Sequence, residues 1–117
     1  MKIVTLCIPA HLPRPHAGAT PVPYTSGLID KLELALVKLS PTVIRGPNAV
    51  RLVEDKNDRF VGQHIVTPYT FAASGDMEVL DACSLVLKTL ALKTLLVLSE
   101  DGPVMFGLDE LGEVIVL

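Results

Sequence analysis

Apolar residues recur along this chain in two rhythms, and the places where the rhythm changes mark its elements. Residues 2–8, KIVTLCI, are apolar on both alternating faces, with Val4, Leu6 and Ile8 on one and Ile3 and Cys7 beside Thr5 on the other. A strand of that kind belongs in the middle of a sheet, covered on both sides. Between residues 27 and 39 the spacing becomes helical: Leu28, Leu32, Ala35, Leu36 and Leu39 share a face, and Asp30, Lys31, Glu33 and Lys38 lie mostly opposite. Thr25 or Ser26 is placed to cap this helix, and Pro41 ends it by disfavouring helical geometry at Ser40.

The connector TVIRGPNAV has room for a short strand, with Gly46-Pro47-Asn48 as its turn. Residues 49–55 and 59–66 then alternate and flank Lys56-Asn57-Asp58, which predicts a hairpin. After Pro68, the segment TPYTFAASG leads to a second helix over 76–92, with Ser74 or Asp76 as cap and a wide stripe of Val79, Leu80, Cys83, Val86, Leu87, Leu90 and Ala91. The last 23 residues, LLVLSEDGPVMFGLDELGEVIVL, are apolar runs cut by Asp101-Gly102 and by Glu110-Leu111-Gly112, a three-strand meander.

The resulting order is strand, helix, strand, strand, helix, strand, and then two further strands. This predicts an α+β fold, ferredoxin-like in its βαββαβ order with an additional C-terminal β-hairpin, two helices packed on one face of a mainly antiparallel sheet, and residues 1–117 as a single domain. The other sheet face then needs a cover. A Pro-rich loop at 9–25, which holds five of the nine prolines, can continue neither a ladder nor a helix. Loops of this length in a compact domain are commonly functional, which makes it the first place to look for a site.

Composition sharpens the same expectation. Half of the 117 residues are hydrophobic, yet aromatics are only 4% and Trp is absent, so the core is built by aliphatic packing with apolar surface left over for a partner. A terminal strand of Val114, Ile115, Val116 and Leu117 at an open edge would recruit another chain. Lys88 and Lys93 interrupt the longest apolar stretch, which argues against a membrane span. Cys7 and Cys83 fall inside predicted elements, as buried thiols do, and point to a cytoplasmic address. The N-terminus has one Lys and a short apolar run, but Pro9 and Pro13 come too early for a signal peptide.

Charge is uneven: residues 1–75 carry 8 basic and 5 acidic groups, and residues 76–117 carry 2 and 8. Glu100, Asp101, Asp109, Glu110 and Glu113, with Val114 and Val116 beside them, form a candidate protein-interaction surface on the terminal meander. His11, Arg14 and His16 are the candidate site of the Pro-rich loop.

Other chemistry finds weaker footing. Cys7, His11 and His16 match no zinc spacing, so no metal is assigned. No nucleophile elbow accompanies His64, and no Gly-rich phosphate loop is present; AASGD before the second helix serves as a cap. Arg45, Arg51, Lys56 and Arg59 gather about the hairpin without interleaved aromatics beyond Phe60, which argues against nucleic acid. No catalytic residue and no cofactor is assigned. The expected function is that of a small non-enzymatic, self-associating interaction or accessory module, a homo-oligomer that also engages a second protein. The alternative is a small-molecule sensor domain with its ligand at a subunit interface.

Overall fold

The computed structural model describes residues 1–13, 19–54 and 61–117. Among these residues seven strands and two helices follow one another as β1 (Lys2–Pro9), α1 (Ser26–Leu39), β2 (Ile44–Arg45), β3 (Ala49–Glu54), β4 (Val61–Ala73), α2 (Asp76–Thr89), β5 (Leu95–Ser99), β6 (Val104–Leu108) and β7 (Val114–Val116). The strands form one sheet in the order β2-β4-β1-β5-β6-β7, with β3 also paired to β4, and all the pairings are antiparallel. The protein is α+β, with both helices packed on this sheet.

The doubly apolar β1 lies between β4 and β5. Val4, Leu6 and Ile8 point from it into the core, where they meet Tyr69, Phe71 and Ala73 of β4, Leu95 and Val97 of β5 and Phe106 of β6. The apolar stripes of the helices close this layer: Leu32 and Leu36 of α1, and Val79, Ala82, Cys83, Val86 and Leu87 of α2, are buried in the same cluster. Each fully buried aliphatic side chain of this kind contributes about 1.5–3 kcal/mol relative to exposure.

Three local expectations are corrected. The first concerns Pro68, after which the sequence pattern loses its strand signal; β4 instead runs through it to Ala73. A proline lacks the N–H that a ladder needs. In an antiparallel strand the N–H and C=O of one residue point to the same side, and the Pro68 carbonyl accepts from Gly46 N–H at 2.8 Å, on the side of β2 and β3. The missing donor therefore faces residues 46–48, where the edge is broken between β2 and β3.

The second correction is the end of α2, at Thr89 rather than Leu92. Ala91 takes a left-handed backbone (φ 53°), and Leu92 N–H donates to the Leu87 carbonyl at 3.0 Å, the six-to-one bond of a Schellman stop. The third is capping. Neither helix has a side-chain bond from its N-cap residue, which is Thr25 for α1 and Gly75 for α2. At α2 Glu78 reaches back instead, accepting from Ser74 N–H at 2.6 Å and from the Ser74 hydroxyl at 3.3 Å. Among the described residues no helix is long and apolar enough to cross a membrane.

Candidate functional site: the helix-free sheet face and two cavities

Side chains alternate across a strand, so the partners of the core residues stand on the face that the helices do not cover. There β1 presents Ile3, Thr5 and Cys7, β4 presents Val66, Pro68, Thr70 and Ala72, β5 presents Leu96 and Leu98, and β6 presents Met105. Ile115 pairs with Gly107, and Leu117 continues the ladder by donating to the Met105 carbonyl at 2.9 Å, which places both on the same face. Ile3 is 59% exposed and Leu98, Ile115 and Leu117 are exposed with it, while Cys7 and Val66 are buried. Apart from Arg51 on β3, no charged side chain stands on this face within the described strands.

At its centre the hydroxyls of Thr5 and Thr70 hydrogen bond to each other at 2.9 Å. One donates and the other accepts, which offsets part of the penalty for taking these hydroxyls out of water. Burial raises the Cys7 thiol above its ordinary value, with the nearby Arg51 guanidinium opposing that shift.

The acidic residues of the meander are placed at two ends. Glu100 and Asp101 lie in the β5–β6 turn, and Asp109, Glu110 and Glu113 in the β6–β7 turn, so the length of β6, about 16 Å at strand rise, separates them. Asp101 is paired with Lys2 at 2.6 Å. Asp109 is occupied within its own turn, its Oδ1 accepting from the N–H groups of Leu111 and Glu113 at 2.9 Å each, around Gly112 with φ 79°. Val114 and Val116 lie on the helix side; Val114 packs against the core and Val116 is exposed. Because Glu113, Ile115 and Leu117 fall in the hydrogen-bonded register with β6, the backbone groups of Val114 and Val116 point outward along the sheet edge. The sequence pattern marks Ile115 and Leu117 only as part of the terminal edge strand, since the β6 register alone tells which of two adjacent apolar residues faces which way.

Of the loop residues, His11 forms a bridge with Pro23, whereas Arg14 and His16 lie outside the described residues. His64 is exposed on β4 opposite Arg51. Lys56 and Arg59 lie outside the described residues, and Arg45 is bound to Glu33 through Nη1 at 2.8 Å. Among the described residues no group of three His, Cys, Asp or Glu side chains is placed to hold a metal ion.

Two cavities open on the helix side. One, of about 280 Å³, lies over Val4, Val79, Val97 and Phe106 and is rimmed by Lys2, Asp76 and Asp101. The other, of about 250 Å³, lies beside the Pro-rich loop and is lined by Ile8, Tyr24, Arg45, Asn48, Thr67 and Tyr69 among others. Burial, with a hydrogen bond donated to Glu33 at 2.9 Å, pushes the Tyr69 hydroxyl up to about 12, so it remains a donor at neutral pH. Compared with known protein families, curated proteins and solved structures, the chain has no significant match in any of the three.

Proposed function

We propose that this protein is a small self-associating interaction module whose helix-free sheet face packs against the same face of a second copy. The observation that carries this reading is the uncharged apolar band formed by Ile3, Leu96, Leu98, Met105, Ile115 and Leu117. Contiguous exposed apolar surface of this kind is costly in water and marks association sites. Apart from Arg51 on β3, the strands of this face offer no electrostatic handle to a charged partner, and the band from β1 to β7 meets its own copy without like-charge repulsion. A two-fold interface needs only that self-complementarity.

Six strands at about 4.8 Å spacing and about five residues deep give a projected area of roughly 500 Å² per copy. Side-chain relief raises the accessible area above the projection, towards the roughly 1,200–2,000 Å² in total of a stable complex. The free edge of β7 is a weaker candidate, since Val114 and Val116 alone offer outward backbone groups and short edges resist strand addition.

We read the sheet as ferredoxin-like, with β2 and β3 as one broken edge strand, the order then being edge, β4, β1, β5, and with β6 and β7 as the added hairpin. A reducing, cytoplasmic setting suits the free thiols of Cys7 and Cys83. Engagement of a second protein is assigned to the turns bearing Glu100 and Glu110, whose carboxylates are exposed. Size-exclusion chromatography with light scattering tests the self-association. A mass of twice 12.6 kDa is expected, and a monomer at concentrations up to about 1 mM, beyond which association is of no consequence, overturns the reading.

A further inference from the structure

We propose that the cavity beside the Pro-rich loop binds a small monocarboxylate with an apolar body. It lies on the helix side, where Arg45 pairs across the ladder with Tyr69, so it is distinct from the face assigned to self-association.

Three residues that carry donor groups line it. Tyr24 lines the cavity, is only 8% exposed, and its hydroxyl is buried without a hydrogen-bond partner among the described residues. Native proteins seldom leave such a group unsatisfied unless water or a ligand completes it. Arg45 contacts both Glu33 oxygens through the single nitrogen Nη1, at 3.2 and 2.8 Å, which leaves the donors of Nη2 and Nε unused by Glu33. The Asn48 carbonyl accepts from the Thr67 hydroxyl at 2.8 Å, which turns its amide N–H groups to other partners.

The chemistry of the walls selects the ligand class. Among the described residues no carboxylate lines the cavity, and the neighbouring Glu33 is held by Arg45 and Tyr69, so a cationic ligand finds no free counter-charge. Its one cation among the described residues, Arg45, is partly compensated by Glu33, which favours a single negative charge over a phosphate dianion. A guanidinium edge matches the two oxygens of a carboxylate, and the Tyr24 hydroxyl and Asn48 amide supply further donors. The remaining walls, Ile8, Pro9, Ala10 and Ile29, are apolar. A volume of about 250 Å³ suits a ligand of roughly ten non-hydrogen atoms. The larger cavity differs: the carboxylates of Asp76 and Asp101 line it, and both pair with Lys2.

Phenylacetate and hexanoate are the probes, with phenylacetamide as the uncharged control, followed by amide chemical shifts of the full chain. At least one carboxylate is expected to give saturable shifts clustered at Ala10, Arg45, Asn48 and Thr67, and the amide to bind at least about tenfold more weakly. Arg45→Gln is expected to lower carboxylate affinity about tenfold and Tyr24→Phe several-fold. Tyr24→Phe leaves the melting temperature of the free protein unchanged or higher, because it removes an unsatisfied hydroxyl. This separates a ligand role from a structural one. Absence of saturable shifts from both carboxylates up to about 10 mM, equal binding of the amide, or unchanged affinity in a folded Arg45→Gln protein overturns the proposal.

Discussion

The hydroxyl of Ser40, the residue that closes α1, donates a 2.9 Å hydrogen bond to Oε1 of Glu78 in the first turn of α2. Ser40 is buried and Glu78 also accepts from Ser74, so one carboxylate ties the end of one helix to the start of the other. The backbone bond from Ser74, and then the Ser40 hydroxyl, hold the Glu78 carboxyl below its ordinary value of 4.5. A carboxyl depressed in the folded state contributes stability that is present above its unfolded value and is lost as the pH falls through the folded one. Urea midpoints measured downward from pH 4.5 are therefore expected to fall more steeply for the wild type than for Glu78→Gln. Parallel slopes would remove Glu78 from the acid response.

Leu98 stands exposed on the helix-free face beside Thr5. Replacing it by Lys puts a charge at the centre of the proposed interface without touching the core, so the dimer is expected to weaken by at least about tenfold, with unchanged helix content by circular dichroism. Light scattering across a dilution series reads the result. A dimer as stable as the wild type would place the interface elsewhere.

Ala91 holds the left-handed position of the α2 stop at φ 53°. That conformation costs a residue with a β carbon about 1 kcal/mol that glycine does not incur. Ala91→Gly is expected to raise the melting temperature by about 4 °C, and calorimetry that shows a fall would refute the strain.

A β carbon on Gly46 would sit 3.0 Å from Cγ of Pro68, while Gly46 N–H bonds to the Pro68 carbonyl at 2.8 Å. Gly46→Ala therefore has to push the ring or break the bond, and is expected to cost about 1–3 kcal/mol in denaturant titration. A neutral substitution would mean that the strand edge yields freely.

Cys83 is fully buried in the core and burial pushes its thiol up to about 12; Cys7 is raised for the same reason. Both are expected to react with a thiol reagent at pH 8 only at the rate at which the fold opens, and at once in denaturant. Rapid labelling of Cys83 in the native protein would contradict its placement.

The chain's own periodicity determined the elements that bury most surface. The all-apolar β1, the Leu32 and Leu36 stripe of α1 and the Val79 to Leu87 stripe of α2 follow from spacing alone, because a core is filled by whichever face is apolar. What periodicity could not reach depends on partners distant in sequence. β4 passes through Pro68 because the missing donor faces the gap between β2 and β3, and the acidic turns separate because β6 lies between them. Ile115 and Leu117 join Leu98 on one face through the register with Met105 and Gly107, and Tyr24 comes to stand near Arg45 only when the loop packs against the sheet. Burial propensity is a local property of the chain, whereas register and the closing of cavities are set by which strands pair, and only the tertiary structure decides that.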